Sequence, residues 1–165
     1  MATLHILIGR SPAALHKIEV PLGRGEQPER LVYGFPEFVQ WIKEDLPALE
    51  TGRLKAADKP EEQLDNILYR WIAGKEVSYG RMFKDLMPGP EEIWELKTAD
   101  LRVFGWMYKP RVFIAVFGDY ADLYKGRNPV ASYTSARTKV KNARNILDID
   151  EPKFATGSFD DLVCL

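Results

Sequence analysis

The chain has 165 residues, enough for one domain with a real core, and its 45% hydrophobic and 28% charged residues are an ordinary globular balance. No apolar run approaches the ~18 residues of a membrane span, and two histidines with a single cysteine, Cys164, exclude a zinc cluster and a disulfide framework. The net charge of −1 hides a segregation: residues 101–147 carry nine Lys/Arg against two acids, a local +7, whereas 36–70 sum to −3 and 148–165 to −4. A basic segment inside a near-neutral chain attracts phosphate locally. Carboxylate-bound Mg²⁺ stays open, because 24 acidic residues offer many pairs.

The opening MATLHILIGRSPAALHKIEV has no basic region ahead of its apolar residues, and Gly9 and Arg10 interrupt them. It is not expected to be a signal peptide, and the location expected is cytoplasmic. Residues 4–8 and 15–22 read as strands, with a turn between them, and GRGEQPERLVYG as a loop without the P-loop lysine or dinucleotide spacing. Pro36 opens a helix in which Phe38, Trp41 and Ile42 share one face. After the polar stretch 51–59, PEEQLDNILYRWIAG is the strongest helix signal. Pro60 stands at its first position, Glu61 and Glu62 in its first turn, and Gly74 at its stop. Leu64, Ile67, Leu68, Trp71 and Ile72 form its apolar stripe. MPGPEE reads as a turn.

Residues 93–118, IWELKTADLRVFGWMYKPRVFIAVFG, read as three antiparallel strands, with a fourth at 120–125. Along the second, Leu101, Val103 and Met107 oppose Arg102, Phe104 and Trp106; along the third, Val112, Ile114 and Val116 oppose Arg111, Phe113, Ala115 and Phe117. One face is thus aliphatic and suits the helical stripes, while the other mixes aromatic rings with arginines. A closing helix follows, with Ser132 as N-cap, an apolar line of Ala136, Val140, Ala143 and Leu147, and a basic stripe of Arg137, Lys141 and Arg144. Residues 148–165 read as an extended acidic tail. The expected fold is an α+β two-layer domain over 36–147: two helices on an antiparallel sheet of about four strands, plus the C-terminal helix, flanked by an extension at 1–35 and the tail.

In this order of elements, the sequence Glu95-Leu96-Lys97 resembles the Glu-Leu-Arg strand of the RelE/ParE toxin superfamily, in its HigB-like, phage-derived branch. Leu101-Arg102-Val103-Phe104 is similar to that branch's Tyr-Arg-Val-Phe, and the resemblance runs over residues 83–147. KGRNPVASY replaces the branch's Phe-x-Lys-Lys…Thr-Pro run, so its lysine pair is reduced to Lys125 and Arg127. The resemblance implies a RelE-like domain that cuts ribosome-bound mRNA without metal or other cofactor and is restrained by an antitoxin protein. Lys97 stands at the arginine of the first motif and Arg102 at that of the second. Tyr124, Lys125, Arg127 and Tyr133 fall where the family keeps other active-site groups.

Such a cleavage uses the RNA's own 2′-hydroxyl as nucleophile. It calls for a proton acceptor, cations for the phosphorane and aromatic rings to orient bases. Glu95, Lys97, Arg102, Arg111 and Tyr133 are the candidate catalytic residues, with Glu95, Lys97 and Tyr133 all open as the proton acceptor. Trp106, Lys125, Arg127, Arg137, Lys141 and Arg144 are the candidate nucleic-acid contacts. The same residues have plainer readings. Phe104, Trp106, Phe113 and Phe117 form a second small core in one, Arg102 and Arg111 pair with Glu95 and Asp119 in another, and the helix stripe is a solvated face. The non-enzymatic alternative is a phage- or mobile-element-derived regulator that holds RNA or a protein on the same basic face.

Overall fold

A computed structural model describes residues 2–12, 14–86 and 91–164, so residues 87–90 of the turn expected at 87–92 lie outside the described residues. Strands β1 (His16–Ile18), β2 (Leu31–Gly34), β3 (Phe83–Asp85), β4 (Trp94–Lys97), β5 (Leu101–Lys109) and β6 (Val112–Tyr120) form one sheet. Their order across it is β1-β2-β6-β5-β4-β3. Every neighbouring pair is antiparallel except β2 with β6, which is parallel. The α+β class holds, but the sheet is six-stranded and mixed rather than four-stranded and antiparallel. The expected strand at 120–125 is a 3-10 turn, Ala121–Tyr124.

The helices are α1 (Leu4–Gly9), α2 (Pro36–Glu44), α3 (Pro60–Ile72), α4 (Tyr133–Ile146) and α5 (Phe159–Val163). Residues 4–8, expected as a strand, are helical; an apolar run that short carries no period able to separate the two. The N-terminal prolines of α2 and α3 and the Ser132 cap of α4 stand where the sequence puts them, with the Ser135 amide donating to Ser132 Oγ at 3.0 Å.

The α3 stripe is buried against one sheet face, where Trp71, Phe83, Trp94 and Phe113 form an aromatic centre. The opposite face is equally covered: α1, α4 and residue Ile149 close over Phe104, Trp106, Tyr108, Ile114 and Val116. Burial on both faces explains why β5 is buried at every position from 101 to 108 instead of alternating.

Phe113 and Phe117 do not share a face. Phe104 opposes Phe117 but Gly105 opposes Ala115, so Val116 is an extra residue in β6. This bulge shifts the phase of the strand, leaving Phe113 on the helix-stripe side and Phe117 with Phe104 on the other. Glycine is required at the bulge, because a Cβ on residue 105 meets the Ile114 carbonyl oxygen at 1.9 Å.

Residues 148–164 are not an extended tail. Ile149, Leu162 and Val163 are buried. The Trp106 indole donates to the Lys153 carbonyl at 2.8 Å, and the Ala155 amide to the Met107 carbonyl at 2.8 Å. Buried Arg30 clamps the end of the chain, donating from Nε to the Val163 carbonyl and from a terminal nitrogen to the Trp71 and Lys75 carbonyls. The acids of this segment are spaced between apolar anchors, and composition alone does not register the anchors.

Candidate functional site

With Trp94 and Leu96 turned to the helix-stripe core, β4 presents Glu95 and Lys97 on the other face. Two cross-strand rows result. Lys84, Glu95, Phe104 and Phe117 stand side by side across β3, β4, β5 and β6, and Lys97, Arg102 and Asp119 across β4, β5 and β6. Just beyond the end of β6, Tyr124 and Tyr133 close against Phe104, with centroids 5.3 and 6.1 Å from it and 5.0 Å from each other.

Glu95 and Arg102 form a buried ion pair, with 3.8 Å between Oε2 and Nε and side chains 3% and 10% exposed. Arg102 also donates to the Thr98 and Leu101 carbonyls, both at 2.8 Å. At 3.8 Å the pair is Coulombic rather than hydrogen-bonded, and Glu95 Oε2 and Arg102 Nε have no hydrogen-bond partner. Burial pushes the Glu95 carboxyl above the usual carboxylate range, opposed first by Arg102 and then by Lys97 and Lys84.

Lys97 is half-buried, and its ammonium donates to the Gly80 carbonyl at 2.9 Å. Burial holds it below the ordinary lysine range; Glu95 opposes the shift, and Arg102, Lys84 and Lys125 add to it. Burial and a 2.7 Å hydrogen bond to Asp119 Oδ2 push the Tyr124 hydroxyl far up, so it stays a proton donor. Tyr133 is the solvent-facing ring of the cluster at 37% exposure.

Beside the cluster, a groove of about 500 Å³ runs between the end of β6 and the first turns of α4, lined by Phe117, Asp119, Tyr124, Val130, Ser135 and Lys139 among others. The Lys139 ammonium lies 4.2 Å from the Phe117 ring centroid and pairs with Glu37 of α2.

The remaining candidates are scattered. Arg111 is exposed in the β5–β6 turn at φ 66°, the opposite end of the hairpin from Arg102 and roughly 20 Å or more along the strands. The expected joint face of Arg102 and Arg111 is therefore not formed. Trp106 is fully enclosed and offers no ring to a base. Arg144 is buried under Phe154, its guanidinium 4.1 Å from that ring, and donates to the Glu91 carbonyl at 2.6 Å, so it fastens α4 to the chain before β4. Lys141 pairs with Glu91 at 3.1 Å, and Arg137 donates to Thr134 Oγ1 at 3.4 Å. The expected continuous basic stripe is thus broken. Lys125 pairs with Asp122 at 3.5 Å, and Arg127 is exposed in the loop leading to α4.

Sequence reasoning missed Lys139 and Glu37, which meet across 102 positions and leave no local signal. Asp119 was legible only as an ion-pair partner; its position two residues after Phe117 on a strand marked it as facing the same way.

Among the described residues no group of three or more His, Cys, Asp or Glu side chains converges as metal ligands do, and no helix is long and apolar enough to cross a membrane. No family model, no curated protein and no solved structure matches the chain.

Proposed function

We propose that this protein is a toxin-like, metal-independent RNA endonuclease on a RelE-like α+β domain, acting on ribosome-bound mRNA and held in check by an antitoxin protein. The observation that carries the reading is Lys97. In a region without histidine it is an amine held below the lysine range, at one end of a sheet face with Glu95, Arg102, Tyr124 and Tyr133.

Lys97, in its deprotonated form, takes the proton of the RNA 2′-hydroxyl. The 2′-oxygen then forms a bond to the adjacent phosphorus, and the bond from phosphorus to the 5′-oxygen breaks. The products are a 2′,3′-cyclic phosphate and a 5′-hydroxyl, the leaving oxygen taking the proton of Tyr133. Lys125 and Arg127 meet the phosphate charge. Arg102 acts through its neighbours: paired to Glu95 and to the Thr98 and Leu101 carbonyls, it fixes the end of the β4–β5 hairpin and adds to the field that lowers the proton affinity of Lys97.

The test is expression from a tightly repressed promoter beside Lys97→Met, with growth and mRNA 5′ ends followed after induction. Growth arrest with new 5′ ends that Lys97→Met abolishes is the expected result. The cleavage rate should rise with pH through the lowered Lys97 value and then level off, because the base is the deprotonated amine. Arrest unchanged in Lys97→Met removes Lys97 from the role. Normal growth with intact mRNA from a folded protein removes the endonuclease.

A second reading, a non-catalytic regulator that binds RNA or protein, is favoured by one observation: Arg102, the better match to the family's motif, is buried in an ion pair instead of being open to a phosphate.

A further inference from the structure

Tyr124 belongs both to the polar cluster and to the groove beside it, so a chain crossing the cluster enters the groove with its next residue. We infer that the groove receives a nucleobase of single-stranded RNA and that Asp119 selects guanine there. This rests on the reading of the neighbouring cluster as an RNA site.

The volume of about 500 Å³ is that of a small-molecule site. Its aromatic platform is Phe117, with the Lys139 ammonium resting over the ring and tied to Glu37. An ion pair whose side chains are 45% and 58% exposed is a weak latch. A flat base displaces the ammonium from the ring by stacking, and the released Lys139 is then free to meet a flanking phosphate. The loop that walls the groove carries Lys125 and Arg127, two cations at its mouth that favour a polyanion over a basic peptide.

The acceptor is Asp119. Tyr124 donates to its Oδ2 at 2.7 Å and the Tyr120 amide to its Oδ1 at 3.2 Å, which leaves a lone pair on each oxygen. Guanine alone among the four bases presents two adjacent N–H donors on its pairing edge, and a carboxylate accepts both side by side. Adenine and cytosine set a ring acceptor next to their amino group, and uracil sets carbonyls on both sides of its one N–H. All three turn a lone pair toward the carboxylate.

The experiment is an NMR titration of the full chain with GMP, AMP, CMP and UMP, repeated with uncleavable 2′-O-methyl tetranucleotides. GMP should bind at least ~10-fold more tightly than AMP, as one good bidentate pair provides, with shifts at Phe117, Asp119 and Ser135. Asp119→Asn should equalise the two. Lys139→Met, which uncovers the ring without touching Asp119, should tighten binding of guanosine, and this variant carries the test if Asp119→Asn fails to fold. Equal affinity for the four nucleotides, shifts confined to other surfaces, or a stronger response to a Lys/Arg-rich peptide than to GMP overturns the inference. Guanine binding without any RNA cleavage leaves it standing and removes only the endonuclease.

Discussion

Replacing Arg102 by methionine separates two contributions that the structure ties to one side chain. The first is loss of the two donations to the Thr98 and Leu101 carbonyls, each at 2.8 Å, which together contribute about 2–4 kcal/mol and do not depend on pH. The second is loss of the foremost charge that draws the Glu95 carboxyl down, in a site where that carboxyl is 3% exposed and already raised by burial. Without Arg102 the folded-state value rises further, each added unit amounting to about 1.4 kcal/mol.

The sign follows from linkage. A carboxyl raised in the folded state holds a proton there that the unfolded chain releases, so stability falls as pH rises from the ordinary carboxylate value through the folded one. The difference between wild type and Arg102→Met should therefore be smallest at pH 4. It should widen above the wild-type Glu95 value and level off above that of the variant. At pH 8 the total reaches about 3–5 kcal/mol, as for other broken buried pairs, or roughly 6–20 °C in Tm for a chain of this size. Urea denaturation at pH 4, 6 and 8 measures it, and in the Glu95→Gln background the Arg102→Met difference, taken against Glu95→Gln alone, should be flat in pH. A single-mutant difference equal at pH 4 and 8 would refute the account, because Glu95 would then have a compensating partner other than Arg102.

Gly105→Ala should destabilise by about 3 kcal/mol, since its Cβ lands 1.9 Å from a backbone oxygen inside a β-bulge; a thermal melt within 2 °C of wild type would remove the bulge from the account. Deleting residues 149–165 uncovers the contacts of Ile149, Leu162 and Val163, each worth ~1.5–3 kcal/mol on burial, a sum comparable with the stability of a whole domain. The truncated chain should show no cooperative transition by circular dichroism, and a cooperative melt near that of the full chain would return the segment to the status of a tail. Glu26 accepts from Tyr69 and from the Gly23 amide and pairs with Lys75 at 2.6 Å, contacts led by Lys75 that lower it to about 2. Its stabilisation should be present above the ordinary carboxylate range and fade as pH falls toward 2. Lys75→Ala should move its NMR titration upward, and an unmoved titration would exclude the pair as the cause.

Helices α2, α3 and α4 were legible because their signals are local, whereas α1 and α5 are too short to show a period. Pro36, Pro60, Glu61, Glu62 and Ser132 stand within one turn of the ends they mark, and the α3 stripe repeats often enough to fix its period. The two faces of β5 were legible, but those of β6 were not: Phe113 and Ala115 face the α3 stripe and Ile114 and Val116 the other side, the reverse of the alternation expected there. The extra residue Val116 then returns Phe117 to its expected place beside Phe104, and a sequence without its partner strand carries no mark of that insertion other than Gly105. The parallel pairing of β2 with β6 joins residues about eighty positions apart and has no local signature. Glu95, Lys97 and Arg102 could be placed together because they flank one short turn. Arg111 could not, since alternation places it on a face but does not say that the hairpin's length separates it from Arg102.

The basic segment shows why net charge located the region but not the contacts. Of the cations between 101 and 147, Arg144 is spent on the Glu91 carbonyl and the Phe154 ring, Lys141 on Glu91, Lys139 on Glu37 and Arg102 on Glu95. Three of those four partners are carboxylate side chains lying outside the segment, so the count of +7 overstates what a polyanion meets. Of the other five, Lys109 and Arg111 are exposed at the far end of the hairpin and Arg137 lies on α4. That leaves, at the Tyr124–Tyr133 end, Lys125, paired with Asp122, and Arg127 in the loop between the two tyrosines, with Lys97 on the neighbouring strand. A partner bound by diffuse attraction would engage many cations weakly and dissociate steeply with salt, whereas one held at this end would show a slope of only two or three charges. The salt dependence of binding to a short uncleavable RNA therefore distinguishes a localised site from a basic surface, independently of whether any bond is cut.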